Sequence, residues 1–281
     1  MGTVASFSLA AGGLTSTATA LKMACSGLHR ADAIFSTWKP ESPVSRLRRN
    51  PALLAEMPEV VLEVIELCER VTKATAGIFD PWAMPGGFDP SGLVKGWAVE
   101  QAAIGLAAAG LAGGIVGVGG DLQTFGSPSA LRSRDAERVS SLEIPERWQI
   151  GIRHPWRAER LACVLALPGG AVATSGTYER GAHLVHPPSG QPRCRLASAT
   201  VTGPSAAIAD GLATALAIEG PTGLTWLAAF RGYDAYLISS TGEEIATAGI
   251  EFVPKTEISD SSGSGSPDSP ARRIGAELRR A

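Results

Sequence analysis

Asp210 and Thr214 stand four residues apart in AIADGLATAL, a spacing that on a helix puts both side chains on one face with β-carbons roughly 6 Å apart. A carboxylate and a hydroxyl so placed are two hard oxygen donors within reach of one ion. Mg2+ accepts such a pair together with a backbone carbonyl, leaving positions for water and phosphate. In isolation, DxxxT equally suits an aspartate that only receives helix or surface hydrogen bonds. His183 carries an imidazole able to take a hydroxyl proton near neutral pH while a phosphorus is attacked, and it also fits a structural histidine beside Leu184 and Val185. Lys95 can neutralise pyrophosphate oxygens or sit solvated at a helix start, and Gly119 and Gly120 permit close backbone approach. Ser175 and Gly176 offer hydroxyl and backbone donors, but GxSxG is absent and no Ser/His/Asp triad is readable, which argues against a serine hydrolase. GVGGD lacks the full GxGxxG dinucleotide pattern.

The elements that must position these residues follow from periodicity. AIADGLATAL lies in a helix that starts near Pro204, with Ile208, Leu212 and Leu216 on a packing face and a small, accessible stripe through Ala207, Asp210, Thr214 and Ala217. A second helix, after Pro58, carries Val60, Val61, Val64, Leu67, Cys68 and Val71 at helical spacing. Residues 18 to 36 read as another helix, Pro40 and Pro43 mark a loop, and a glycine- and proline-rich loop passes into a helix near Lys95. Strand signals occur at 3–10, 115–121 and 197–203, and in WQIGIRHP, RLACVLAL, GAVATSG and AYLIS. Residues 127 to 147 read as a polar connection, and SRLRRN as a solvated charge run or a guide for an anionic nucleotide. Short strands joined by turns predict an α+β fold, an antiparallel sheet core flanked by helices. One domain is expected over 1–254 and a disordered, Ser/Gly/Pro-rich tail over 255–281, whose last residues could form a transient helix.

With 281 residues, 44% of them hydrophobic, the chain can bury a sizeable core. Lys+Arg 25 against Asp+Glu 27 gives a formal charge of -2, so no global basic field exists to hold nucleic acid or an anionic membrane surface. The four cysteines stand far apart and include no CxxC pair, so a compact zinc site is not expected. No apolar run has the length of a membrane span. The uncharged stretch over residues 2 to 21 lacks a basic n-region, so the expectation is a mature start at Met1 and a cytoplasmic location, with export of a trimmed form left open.

In order along residues 1 to 253, MGT, FSTWKPESPVSRL, FDPSGLVKG, VGGD, ATSGTYERG, HLVHPPSG and ADGLATAL resemble motifs of the FAD:protein FMN transferase family, the ApbE-like flavin transferases. The joint pattern is far more specific than any one motif. The resemblance implies an ApbE-like, T-fold-like architecture with a flavin nucleotide in a central cleft. It implies flavin-nucleotide contacts from Met1, Trp38, Phe79, Asp80, Asp89, Lys95, Gly119, Gly120, Ser175, Gly176 and Val185. Trp38 stands where a tyrosine is usual and would stack on the nucleotide. Magnesium ligands would be Asp210, Thr214 and the Gly92 carbonyl, and His183 would take the acceptor's proton.

The activity so implied is magnesium-dependent transfer of FMN from FAD to a threonine or serine hydroxyl of a target protein, with release of AMP. Three positions depart from the family pattern: His186 where aspartate is usual, Glu100 for an aspartate and Arg48 for an asparagine. They keep two rival readings open, a magnesium-dependent FAD pyrophosphatase and a noncatalytic flavin-binding protein. Expected partners are FAD and the acceptor protein, with no nucleic acid and no membrane span.

Overall fold

The computed structural model describes residues 3–10, 14–131, 147–176 and 184–254. Its centre is a seven-stranded sheet in the order β1-β2-β3-β6-β9-β10-β11, antiparallel at every described pairing. The strands are β1 (Ala5–Leu9), β2 (Gly113–Val118), β3 (Asp121–Gly126), β6 (Ala171–Gly176), β9 (Leu196–Gly203), β10 (Asp234–Ser239) and β11 (Glu244–Ala246). Two hairpins stand apart from it, β4 (Trp148–His154) with β5 (Arg157–Leu167), and β7 (Val185–His186) with β8 (Gln191–Pro192).

Strand alternation separates two cores. Ala171, Ala173, Ala235 and Leu237 join the helical core, whereas the intervening Val172, Tyr236 and Ile238 pack with Trp148, Ile150, Ile152, Leu165 and Leu167 of the β4–β5 hairpin. The helices are α1 (Leu14–Phe35), α2 (Pro43–Arg49), α3 (Glu59–Ala74), α4 (Ser91–Ala108) and α5 (Ala206–Glu219). As the spacing predicts, α3 buries Val61, Val64, Cys68 and Val71, while Val60 and Leu67 are half-buried. No helix among the described residues is long and apolar enough to cross a membrane.

Several expectations need correction. The accessible stripe on α5 does not exist: Ala207, Asp210 and Ala217 are as buried as Ile208, Leu212 and Leu216, because α4 and α3 cover one side and the sheet the other. Its small residues serve close approach, and full burial of each leucine contributes roughly 1.5–3 kcal/mol. The helix expected near Lys95 begins at Ser91, whose backbone N–H donates to Asp89 Oδ1 at 3.0 Å, and proline at position 90 sets the entry backbone. Pro43 opens α2 rather than ending a loop, with Ser42 Oγ accepting from the Ser45 N–H at 3.0 Å. A strand not expected from the sequence, β3 (Asp121–Gly126), lies between the run over 115–121 and the polar connection. Residues 132–146 of that connection and the tail over 255–281 lie outside the described residues.

Candidate functional site

α4 and α5 cross beside the sheet, and their facing residues form the floor of a cleft with about 760 Å³ of empty space, part of it open to solvent. Glu100 sets how α5 begins. Its Oε2 accepts from Ser205 Oγ at 2.6 Å and from the Ala207 N–H at 3.3 Å, while Ser205 Oγ caps the Ile208 N–H. A carboxylate there complements the helix dipole and two otherwise unpaired donors. Glu100, one of the departures from the family pattern, therefore locks the helix that carries Asp210 and Thr214.

At the floor, Thr214 Oγ1 donates to the Gly92 carbonyl at 3.4 Å and lies 3.3 Å from Ser175 Oγ. Glycine eases this approach: a β-carbon at position 92 would stand 3.2 Å from both Thr214 Oγ1 and the Phe79 ring, closer than ordinary contact. One turn earlier on α5, Asp210 is fully buried and accepts from the Gly96 N–H at 3.3 Å. Lys95 Nζ reaches Asp210 Oδ1 and Oδ2 at 3.0 and 3.1 Å and Asp121 Oδ2 at 2.7 Å. Burial alone would lower the Lys95 pKa, but the Asp121 and Asp210 charges outweigh it and push it up, so the group is an ammonium.

Lys95 thus bridges two buried carboxylates, Asp121 on β3 and Asp210 on α5, beneath the cleft. Among the described residues no group of three or more His, Cys, Asp or Glu side chains gathers as a metal site, and the further donors that these residues offer are hydroxyl and carbonyl oxygens. The Gly92 carbonyl, the Thr214 hydroxyl and the Asp210 carboxylate are hard oxygen donors of the kind Mg2+ takes. The residues present fit Mg2+.

Of the residues expected to contact a flavin nucleotide, Phe79, Asp80, Asp89, Lys95, Ser175, Gly176 and Val185 line the cleft together with Gly92 and Thr214. Asp89 uses both oxygens on the protein, Oδ1 for the Ser91 N–H and Oδ2 for Arg48 at 3.1 Å. Arg48 is not part of a solvated run. Its guanidinium also donates to the Gly86 carbonyl at 2.9 Å and to the Pro85 carbonyl, pinning the loop that leads into α4, while Arg46 and Arg49 are exposed.

Trp38 stands 92% exposed and outside the cleft lining, and Gly119 and Gly120 shape the β2–β3 turn, where the Gly120 carbonyl accepts from the Thr174 N–H at 3.2 Å. His183 and Met1 lie outside the described residues, as do Thr177, Tyr178 and Glu179.

His186 is half-buried on β7. Arg193 can only donate, so His186 Nε2, at 2.9 Å from it, is the acceptor, and Nδ1 then carries the proton toward Ser189 Oγ at 2.8 Å. Arg193 in turn pairs with Glu219 at the end of α5, 3.3 Å away, tying the β7–β8 hairpin to the site helix. Sequence reasoning missed Asp121, Arg48 and Glu100 as parts of this arrangement. The cleft also gains Ile78, Met84, Thr174, Leu184 and Ile218, hydrophobic but for the threonine, for which no motif existed.

A model of the ApbE family matches residues 1–86 and 84–237. The chain is 29% identical over 168 residues to the FAD:protein FMN transferase of Rhodobacter capsulatus, covering 57% of this chain and 29% of that protein. It is 33% identical over 142 residues to the FAD:protein FMN transferase of Vibrio cholerae, covering 47% of this chain and 38% of that protein. The matched stretches thus span well under half of these relatives' own length. Among solved structures, Flavin Transferase ApbE from Vibrio cholerae superposes with a TM-score of 0.70 at 20% identity, over 88% of this chain and 94% of that one. The fold is shared.

Proposed function

We propose, on the premise that the chain belongs to the ApbE family, that it transfers FMN from FAD to a threonine or serine hydroxyl of a target protein and releases AMP. The observation that carries this reading is the meeting of Thr214 Oγ1 and the Gly92 carbonyl at 3.4 Å in the cleft, one helical turn from Asp210, which Lys95 joins to Asp121. The names of the curated relatives support transfer over simple hydrolysis.

Gly92, Thr214 and Asp210 would hold magnesium. Bound there, Mg2+ supplies positive charge against the pyrophosphate oxygens. The chain's own residues do the rest. Ile78, Phe79, Leu184, Val185 and Ile218 give the cleft an apolar wall suited to a flat ring, and Ser175 and Gly176 give a polar edge suited to phosphate. The acceptor oxygen forms a bond to the phosphorus nearer the flavin as the bond from that phosphorus to the bridging oxygen breaks. His183, assigned from the sequence motif, takes the hydroxyl proton, and AMP departs with the bridging oxygen.

The test compares wild type with Asp210→Ala and Thr214→Ala, using FAD with and without Mg2+ and following AMP. Both variants should lose magnesium-dependent AMP release while keeping the wild-type circular dichroism spectrum. Undiminished release by folded Asp210→Ala would remove its ligand role.

A further inference from the structure

α2 stands on the core: Val44 and Leu47 are fully buried, and the Ser42 and Ser45 hydroxyls both donate to the Ser36 carbonyl, at 2.6 and 3.0 Å. From this fixed base Arg48 extends to the 81–89 loop, which forms one wall of the cleft through Pro81, Met84 and Asp89. Arg48 is not part of the lining and holds the wall from behind. Within the loop the Asp89 N–H donates to the Pro81 carbonyl at 2.8 Å and the Gly87 N–H to the Met84 carbonyl at 2.9 Å. Between those bonds Gly86 and Gly87 take positive φ, 84° and 97°, a backbone with wide conformational freedom. The guanidinium spans this stretch: Nε donates to the Gly86 carbonyl at 2.9 Å, Nη2 to the Pro85 carbonyl and Nη1 to Asp89 Oδ2 at 3.1 Å.

We infer that Arg48 is a positioning residue for the flavin nucleotide: without touching it, the guanidinium keeps the 84–89 wall in place and pairs the Asp89 carboxylate that faces the cleft. This rests on FAD as the ligand of the cleft. The pyrophosphate of FAD is anionic, so an Asp89 carboxylate left unpaired on the wall would repel it, and Arg48 thereby acts on both shape and charge. Apparent affinity falls with the fraction of molecules whose wall is formed.

The experiment titrates the full chain with FAD and follows flavin fluorescence, at a temperature well below each variant's unfolding midpoint. Arg48→Met keeps most of the stem, removes every donor and should bind FAD about tenfold more weakly. Arg48→Lys keeps a positive charge beside Asp89 but not the planar fork, and should lose about threefold. Arg46→Ala and Arg49→Ala, on the same helix and exposed, should bind FAD as wild type does. In AMP release the KM for FAD should rise by the same factors while kcat stays within about threefold. Wild-type affinity in folded Arg48→Met would leave Arg48 a residue of stability alone and overturn the inference. Equal losses in Arg46→Ala and Arg49→Ala, or a fall in kcat at unchanged KM, would overturn it too. Should Arg48→Met fail to fold, Arg48→Lys carries the test, and wild-type affinity there refutes the role. A wild type that binds no FAD sinks the proposed function and this inference with it, whereas FAD binding that Arg48 does not affect sinks the inference alone.

Discussion

Replacing Gly96 with alanine tests the packing on which the site depends. Gly96 lies on α4 where the first turn of α5 crosses it. An added β-carbon would stand 2.5 Å from the carbonyl carbon of Ala206, closer still to that carbonyl's oxygen, and 3.0 Å from the Ala207 nitrogen. These are backbone atoms, so no rotamer change relieves the clash. An ordinary contact begins at 3.4 Å, and α5 must retreat by roughly 1 Å or more. That retreat lengthens the Gly96 N–H to Asp210 bond, already 3.3 Å, and leaves a buried carboxylate short of a donor.

Overpacking of this kind costs about 1–3 kcal/mol and the lost donor about 1–3 more, against a helix-propensity gain of about 1 kcal/mol for alanine over glycine. The expected net loss is about 1–5 kcal/mol. Urea unfolding of wild type and Gly96→Ala, monitored by circular dichroism and fluorescence, measures it. A stability within about 0.5 kcal/mol of wild type, or higher, would show that α4 and α5 are not packed as described.

Arg48→Ala should cost about 1–2 kcal/mol, because three acceptors on the 85–89 loop lose a half-buried guanidinium; an unchanged urea midpoint would return Arg48 to the solvated surface. Glu100→Ala and Ser205→Ala should each cost about 1 kcal/mol and couple in a double-mutant cycle, whereas strict additivity would mean that the 2.6 Å contact is not formed. Burial pushes the Cys163 thiol up to about 12, and burial likewise raises Cys68 and Tyr233. Below about pH 8.5 folded and unfolded thiols are both protonated. Above it the unfolded chain releases protons that the folded chain keeps, so stability falls as pH rises toward 12. The urea midpoint at pH 10 should lie below that at pH 7.5, and an equal or higher midpoint would contradict the burial of these groups.

What the sequence revealed depended on how local the signal was. The apolar recurrence on α3 is confined to one helix and could be read directly. Strand β3 was hidden because Asp121 and Gln123 are buried polar residues, which inverts the usual alternation and makes the segment resemble a loop. α5 was read as two-faced from its leucines, yet Asp210 is its only charged residue between Ala206 and Ile218, a composition that already signals burial on all sides.

Within the candidate site, the spacing puts Asp210 and Thr214 on one helix, and the structure brings Thr214 to Gly92. The contact of Lys95 with Asp121 spans 26 residues and that with Asp210 spans 115, and no local pattern encodes such a cluster. Arg48 was misjudged for a similar reason. Its neighbours Arg46 and Arg49 are exposed, and the carbonyls that bind it lie nearly 40 residues away, with Gly86 at a separation of 38.

The most direct measurement incubates the chain with FAD, Mg2+ and a candidate acceptor protein, and follows AMP release together with flavin that stays on the acceptor after denaturation. FMN transfer predicts equal amounts of AMP and acceptor-bound flavin, linked through a threonine or serine oxygen located by peptide mass analysis. AMP formed without bound flavin would assign the site to FAD hydrolysis instead, and no AMP with or without acceptor would contradict an enzymatic role.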